Sequence, residues 1–505
     1  MTMKDFTKIR TLGELKTSGY KVISIKEELR RNLLARLGET ETIFPGIVGY
    51  EETVVPEIQN AILSKHDFIL LGLRGQAKSR ILRSLVNLLD PFIPIIAESE
   101  INDDPFDPIS RESREKVDQQ GDDTEIEWIP RSQRFNEKLA TPDVSIADLF
   151  GDIDPIKAAT RRLHYAHEGA IHFGIIPRTN RGIFVINELP DLQPRIQVGL
   201  LNILEEKDLQ IRGYPLRIPL DILIAFSANP EDYTNRGNII TPLKDRIDSQ
   251  IITHYPRTIE EGIRITDQEA WQDRDEFKIN RAPYYFREII EHIAREARES
   301  ELIDQKSGVS ARLPISCLEL MIGNAERRAA HQHAKMVHLR ISDLHALIPA
   351  ITGKIELVYE GEQEGIINVA QILIGKAVKT VFEKYFPAPK SKGKTRDSEF
   401  DEILAWFAQN NMIQIDAQGS DSAYIKSLEK IKPVEKLIKK HFPHDELQDP
   451  LAMAVAKEFV LEALHQSSFL SKFETEGNVT YKDLVESIFN SLPDENDDKD
   501  SEYYA

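Results

Sequence analysis

The sequence of 505 residues is poor in cysteine and in long apolar runs. Its single cysteine, Cys317, excludes an intramolecular disulfide framework and a zinc site built from several cysteines. No apolar run approaches the ~18 residues that a membrane-spanning helix needs, so we expect no membrane insertion. Residues 1–8 carry charges but lack the apolar core of a signal peptide, and we therefore expect a cytoplasmic protein.

Positive charge is also in short supply. The chain has 64 Lys and Arg against 83 Asp and Glu, which gives a formal net charge of −19. This charge argues against a protein that coats nucleic acid by bulk attraction, although a local basic patch stays open. We therefore do not expect nucleic acid as a partner. The length corresponds to roughly two to four domains.

Strands alternate with helices in the first half of the chain. Short apolar runs at residues 67–71, 182–186 and 222–226 are typical of buried parallel strands. Apolar residues recur at helical spacing over residues 79–89 and 193–206. This alternation predicts an α/β fold with a parallel sheet flanked by helices.

A phosphate-binding motif follows the first predicted strand and opens a predicted helix. The segment Gly72-Leu-Arg-Gly-Gln-Ala-Lys78-Ser79 follows the template G-x-x-x-x-G-K-[ST], in which the lysine reaches the β- and γ-phosphates and the hydroxyl binds Mg²⁺. Ala77 stands where the template has its second glycine. If that position needs a positive φ, the alanine Cβ adds strain that glycine avoids. The alternative is an ordinary strand–loop–helix turn with a surface lysine.

The next two predicted strands end in polar residues. Asn187-Glu188 stands where a Walker B strand carries Asp-Glu, whose aspartate supports Mg²⁺ and whose glutamate polarises the attacking water. Asn229 ends the following strand and could position that water or sense the γ-phosphate. Either pattern alone could be an ordinary strand end, since Asn229-Pro230 is a common turn dipeptide.

Two arginines complete the series of candidate residues. Arg246 could reach a nucleotide bound by a neighbouring subunit, as an arginine finger does, whereas a surface ion pair with Asp245 or Asp248 is the alternative. Arg312 opens a predicted helix and offers a second phosphate-facing charge, unless it is simply solvated.

The order of these signals resembles the AAA+ ATPases, and the residues between them narrow the resemblance to the magnesium chelatase I/MoxR branch. The resemblance covers about residues 44–360. Residues 44–52 resemble the family's segment that packs against adenine, and residues 102–116 resemble its Asp/Pro-rich insertion. Three further stretches of the family resemble residues 149–158, 172–188 and 201–213. The resemblance does not extend to residues 397–505.

This resemblance implies ATP and Mg²⁺ as cofactors. It places the nucleotide against Val48, Gly49, Gly72, Arg74, Gly75, Gln76, Ala77, Lys78, Ser79 and Arg80. It places the metal at Ser79, Asn187 and Glu188. Glu188 becomes the catalytic residue, Asn229 sensor 1, Arg246 the finger and Arg312 sensor 2. The family further implies a hexameric ring with nucleotide at the subunit interfaces, and a separate partner protein with a von Willebrand A domain.

We therefore expect an AAA+ α/β domain, a helical lid and a mostly helical C-terminal domain. The expected segments are an N-terminal helical segment (1–43), the nucleotide-binding domain (44–256) with a polar insert outside the core (97–135), the lid (257–386), a basic linker (387–396), the helical C-terminal domain (397–490) and an acidic disordered tail (491–505).

The expected function is an ATP-hydrolysing motor that remodels a partner protein. Ala77 and Asn187 keep open a nucleotide-gated scaffold with weak or no hydrolysis, in which Asn187→Asp should raise turnover strongly. A σ54-type transcription activator shares the fold, but residues 169–174 resemble its Gly-Ala-Phe-Thr-Gly-Ala loop only faintly.

Overall fold

The computed structural model describes residues 6–38, 43–160, 168–210, 217–230, 238–274, 278–279, 282–389, 399–447, 449–475 and 477–484. The chain divides into two compact units, Met1–Tyr255 and Pro256–Ala505. The predicted acidic tail and residues 390–396 of the predicted linker lie outside the described residues.

The first unit contains the predicted alternation of strands and helices. Its helices are Leu12–Thr17 (α1), Ile25–Leu37 (α2), Val54–Leu63 (α3), Lys78–Ser84 (α4), Arg111–Gln120 (α5), Ile146–Leu149 (α6), Pro155–Thr160 (α7), Ile175–Arg178 (α8), Pro194–Glu205 (α9) and Thr241–Arg246 (α10). Its strands are Phe68–Leu71 (β1), Phe92–Ile96 (β2), Ile126–Pro130 (β3), Phe135–Leu139 (β4), Gly151–Ile153 (β5), Ile171–Phe173 (β6), Gly182–Asn187 (β7), Asp208–Gln210 (β8), Arg217–Pro219 (β9), Ile222–Ala228 (β10) and Ser249–Ile252 (β11).

Five of these strands form a parallel sheet in the order β11-β1-β10-β7-β4. Every residue of β1, β7 and β10 is buried, because helices cover both faces of the sheet. The predicted α/β fold is thus confirmed. Since the strands are parallel, the ends of β1, β7 and β10 lie at one edge of the sheet.

Alternate side chains of the strands enter two separate cores. Phe68, Leu70 and Val185 pack with α2, α3 and α4 on one face. Ile69 and Ile186 pack with α9 on the other face. The period of two residues along each strand therefore produces a three-layer arrangement of helices, sheet and helices.

The polar stretch 97–135 is more deeply folded than an insert outside the core. Ile101, Ile126 and Ile129 are buried, and β3 pairs with β2 in antiparallel fashion. The carboxylate of Asp103 is buried as well and accepts hydrogen bonds from Ser110 Oγ at 2.6 Å and from backbone N–H groups. The prediction that this stretch lies outside the core was wrong for these residues, because a satisfied carboxylate can be buried.

The second unit is mainly helical. Its helices are Ile259–Glu269 (α11), Tyr284–Glu299 (α12), Arg312–His331 (α13), Ile348–Thr352 (α14), Tyr359–Glu364 (α15), Ile366–Tyr385 (α16), Asp401–Phe407 (α17), Asp421–Glu429 (α18), Lys432–His441 (α19) and Pro450–Gln466 (α20). Its strands are Lys278–Ile279 (β12), Met336–Val337 (β13), Ile413–Asp416 (β14), Leu470–Thr475 (β15) and Asn478–Asp483 (β16).

Two features of this unit differ from the expected helical lid and helical C-terminal domain. Strands β14, β16 and β15 form an antiparallel sheet that the helical prediction missed. In addition, one hydrophobic cluster extends from Ala282 to Tyr481, so the two predicted domains share a core. Within the described ranges, none of the helices combines the length and the apolar character that crossing a membrane requires.

Candidate active site

The loop between β1 and α4 requires glycine at its first position. A Cβ on Gly72 would lie 1.9 Å from Thr253 Oγ1 and 2.1 Å from Gln76 Oε1, so a larger residue would have to displace both side chains. Those two atoms are themselves joined, since Thr253 Oγ1 donates to the buried Gln76 Oε1 over 2.6 Å. Gly75 has a φ of 78°, which glycine adopts readily. The loop is therefore tightly packed against the strand that precedes it and the end of β11.

Ala77 is the loop residue that departs from the template. Its φ of 57° and ψ of 12° place it in the left-handed region, at the position just before α4. An L-residue in this region carries roughly 1–2 kcal/mol of strain. The positive φ on which the sequence analysis made this strain conditional is therefore present.

Lys78 connects the loop to the neighbouring strand. Its side chain is almost fully buried, and Nζ donates to Asn229 Oδ1 at 2.7 Å, to Leu73 O at 3.0 Å and to Gly72 O. These acceptors are neutral oxygens, and a phosphate oxygen is a stronger acceptor for an ammonium group. Two residues that the sequence predicts for one site, Lys78 and Asn229, are thus in direct contact.

A second group of hydrogen bonds joins α4 to the end of β7. Ser79 Oγ donates to Asn187 Oδ1 at 3.3 Å, and Ser227 Oγ donates to the same oxygen at 3.0 Å. Asn187 is buried. Ser227 lies in β10, next to β7, and the strand-end pattern assigned it no role. The predicted metal residues Ser79 and Asn187 are therefore neighbours.

Glu188 follows Asn187 with a left-handed backbone. Its φ is 54°, and its N–H donates to Ser227 Oγ over 3.4 Å. The residue is half-buried, with its Oε2 atom shielded from solvent. A positive φ at a residue of this size is uncommon, and such residues cluster at active sites.

Glu137 is a neighbour of Asn187 that we did not predict. Asn187 Nδ2 donates to Glu137 Oε2 over 3.4 Å, and Arg83 of α4 binds both carboxylate oxygens of Glu137 at 2.7–3.0 Å. This ion pair raises the pKa of Arg83, through the hydrogen bond first and the opposite charge second. Glu137 lies on β4, whose pairing with β7 the sequence did not reveal.

The segment expected to contact adenine, residues 44–52, is joined by a hydrogen bond to the loop between β1 and α4. The hydroxyl of Tyr50 contacts Gln76 O at 3.1 Å and His254 O at 2.6 Å. Burial raises the pKa of Tyr50 to about 12, so the hydroxyl stays a donor at neutral pH. Val48 and Gly49 lie next to Tyr50 and are half-buried, and Gly49 has a φ of 82°.

The four predicted arginines lie in different surroundings. The backbone oxygen of Arg74 accepts a 2.9 Å hydrogen bond from the hydroxyl of Tyr255, and Arg80 is exposed on the first turn of α4. Arg246 ends α10 and pairs with Glu205, its Nε lying 2.6 Å from Oε2. Its ion-pair partner is therefore neither Asp245 nor Asp248. Arg312 is an exposed residue at the start of α13, in the second unit.

The residues at this edge of the sheet suit a nucleotide with Mg²⁺. A buried lysine and the N-terminus of a helix provide donors for phosphate. A hydroxyl and an amide oxygen suit the few protein contacts that Mg²⁺ makes when phosphates and waters complete its shell. Among the described residues, no group of three or more His, Cys, Asp or Glu could hold a metal ion without such a ligand.

Comparison with known proteins identifies relatives but no matching family model. Magnesium-chelatase subunit ChlI from Nostoc sp. (strain PCC 7120) is 28% identical over 237 residues, covering 46% of this chain and 59% of the relative. Chloroplastic subunit ChlI-2 from Arabidopsis thaliana is 27% identical over 286 residues, covering 55% and 60%. These matches span about three fifths of the length of both relatives. They confirm the resemblance to AAA+ ATPases of the magnesium chelatase I branch.

Solved structures include a more distant match. The complex between subunits BchI and BchD of magnesium chelatase aligns with 63% of this chain and 98% of that chain, at 20% identity and a TM-score of 0.33. A score this low supports no argument about the present chain.

Proposed function

We propose that this chain is a Mg²⁺-dependent ATPase of the AAA+ type, a motor that hydrolyses ATP at the interfaces of a hexameric ring and remodels a partner protein. The observation that carries this proposal is the hydrogen bond between Lys78 and Asn229, with Ser79 and Asn187 joined beside it. Three strand ends thereby present the side chains that phosphate binding, metal binding and γ-phosphate sensing need.

Each residue has a distinct task in this proposal. Lys78 and the N–H groups of the loop bind the phosphates, and Ser79, together with Asn187, holds the metal. Mg²⁺ held by these residues would supply positive charge against the negative charge that develops on the phosphate during transfer. Glu188 orients the attacking water as an acceptor, and Asn229 fixes the position of that water.

The ring and its partner extend this proposal beyond one chain. Arg246 acts on the nucleotide of the neighbouring subunit, which requires it to leave Glu205 of its own chain. Arg312 acts as sensor 2 from the second unit. We further propose a separate partner protein with a von Willebrand A domain, on the basis of the family resemblance alone.

Equilibrium binding of a fluorescent ATP analogue, with and without Mg²⁺, tests the site itself. We expect Lys78→Ala to weaken binding by at least about 100-fold, because a charge-assisted contact to phosphate is lost. The control is Lys21→Ala, which removes an exposed lysine of the same unit. Equal affinity in wild type and Lys78→Ala would contradict the proposed site.

A nucleotide-gated scaffold is the second candidate function. The left-handed φ of Ala77 and the amide at Asn187 favour it, because both change the parts of the site that bind phosphate and metal. Under this candidate the chain binds ATP tightly and releases it unhydrolysed. Turnover measurements separate it from the motor.

A further inference from the structure

We propose that Glu137 is a positioning residue of this site, which carries the negative charge that an aspartate at position 187 would supply and fixes the amide of Asn187. This inference rests on the proposed ATPase function. It also predicts that the amide of Asn187 is needed because Glu137 is its neighbour. Asn187→Asp alone should therefore not raise kcat for ATP hydrolysis.

The hydrogen bonds of Asn187 determine how its amide is turned. An ionised carboxylate can only accept hydrogen bonds, so the NH₂ group of Asn187 must face Glu137 Oε2, 3.4 Å away. The amide oxygen is therefore directed to the hydroxyls of Ser79 at 3.3 Å and Ser227 at 3.0 Å. Without an acceptor at Glu137, these hydroxyls could satisfy either end of the amide, since a hydroxyl both donates and accepts.

The position of Glu137 in the sheet makes this contact possible. Glu137 lies opposite Val185 in the parallel ladder between β4 and β7. Val185 and Asn187 are two residues apart in β7 and share one face of the sheet, the face that α4 covers. Arg83 lies one turn after Ser79 on α4 and binds both oxygens of Glu137. One carboxylate is thus connected to both halves of the metal site.

An aspartate at position 187 would conflict with this arrangement. It would place a second carboxylate oxygen against Glu137, where Asn187 now donates a hydrogen bond. Two carboxylate oxygens at this separation repel each other, so the contact that now holds the side chain at position 187 would be lost. By contrast, Asn187→Asp combined with Glu137→Gln would keep the hydrogen bond between positions 187 and 137 with its direction reversed, and would move the charge by one strand. It would lose the bond that Arg83 Nε donates to Oε2 of Glu137 and keep the one to Oε1.

The test is a double-variant cycle of Glu137→Gln, Asn187→Asp and the two together. Three quantities are measured: kcat for ATP hydrolysis, the Mg²⁺ concentration at which the effect of Mg²⁺ on ATP binding is half-maximal, and the urea concentration at the midpoint of unfolding. We expect each single variant to lose about 10- to 100-fold in kcat and to need more Mg²⁺, as partners of metal ligands do when altered. We expect the double variant to recover both values to within about threefold of wild type.

The control replaces Glu57, an exposed residue of α3, with glutamine in the Asn187→Asp background. This change removes one negative charge from the first unit, as Glu137→Gln does, but should restore neither kcat nor the Mg²⁺ dependence of Asn187→Asp. A gain in kcat by Asn187→Asp alone, or unchanged kcat and Mg²⁺ dependence in Glu137→Gln, would overturn the inference.

The failure of the proposed function has a different signature. If wild type binds no nucleotide, the ATPase proposal fails, but the urea midpoints still report on the pair. Destabilisation by Asn187→Asp that Glu137→Gln relieves and Glu57→Gln does not would support the contact. Equal midpoints for Asn187→Asp and the double variant would refute it.

Discussion

Lys78 Nζ donates a 2.7 Å hydrogen bond to Asn229 Oδ1, which joins the phosphate-binding loop to the end of the adjacent strand. The two residues are 151 positions apart in sequence. A phosphate oxygen that binds Lys78 competes with Asn229 for the same ammonium group. In the proposed ATPase, breaking this bond would couple nucleotide binding to the residue that follows β10.

We expect Asn229→Ala to lower kcat for ATP hydrolysis by about 100-fold, because a misplaced attacking water has this effect. Its affinity for ADP should stay close to that of wild type, since Lys78 and the loop remain intact. Single-turnover hydrolysis and ADP titration measure the two effects. Asn202→Ala, on the exposed side of α9, is the control. An equal loss of ADP affinity would show that Asn229 supports the loop and not the chemistry.

We expect Ala77→Gly to raise the free energy of unfolding by up to about 1 kcal/mol. Glycine removes left-handed strain worth roughly 1–2 kcal/mol but adds conformational freedom to the unfolded chain. Ala35→Gly is the matched control, because Ala35 is an exposed residue inside α2 and its replacement should cost about 1 kcal/mol. Urea titration compares the two variants, and equal destabilisation in both would contradict the left-handed geometry.

Mixed rings test the proposed arginine finger. Lys78→Ala and Arg246→Ala should each be inactive alone, one for lack of bound nucleotide and the other for lack of the finger. In an equal mixture about a quarter of the interfaces would combine an intact loop with an intact arginine. We therefore expect activity to return on mixing. If it does not, Arg246 acts within its own subunit or has only the structural role that its pair with Glu205 suggests.

The second unit should lose stability as the pH rises. Burial raises the pKa of Glu291 from 4.5 to about 7, although the hydroxyl of Thr266 and the charge of Arg298 act in the opposite direction. A raised pKa in the folded state means that the protonated carboxyl stabilises the fold below about pH 4.5, and that this contribution is lost as the pH rises through about 7.

We expect Glu291→Gln to remove this dependence and to be more stable than wild type above about pH 7, by roughly 2–3 kcal/mol. Glu296→Gln, on the same helix but less buried, is the control. Urea titrations over this pH range measure the difference. The same pH slope in Glu291→Gln and wild type would contradict the raised pKa.

The main features of the site could be predicted because they depend on local sequence. A short apolar run identifies each strand, and the polar residue after it lies at the carboxyl edge of a parallel sheet. This reasoning puts Asn187 and Asn229 at strand ends, whereas their roles come from the Walker B pattern and the family resemblance. The template raised the question of a positive φ at Ala77, since glycine stands there in the template, but only the structure shows that the φ is left-handed.

Glu137 could not be predicted in the same way. Its contact with Asn187 depends on which strand lies beside β7, and the β4–β7 pairing joins segments about 50 residues apart. The buried pair of Arg134 and Glu28 depends on long-range packing as well. In the second unit a signal did exist, because Ile413 and Ile415 are the buried residues of a strand with period two. We assigned the strand to a helical domain because the residues around it have helical spacing.

The most direct test of the central claim is steady-state ATP hydrolysis with Mg²⁺ over a series of protein concentrations, with Lys78→Ala and Glu188→Gln in parallel. A ring ATPase with shared sites predicts specific activity that rises as subunits associate. Both variants should then lose turnover, while Glu188→Gln still binds ATP. If wild type binds ATP tightly but hydrolyses none at any protein concentration, the motor hypothesis is contradicted. The nucleotide-gated scaffold is then the remaining candidate function. Absence of ATP binding would contradict both.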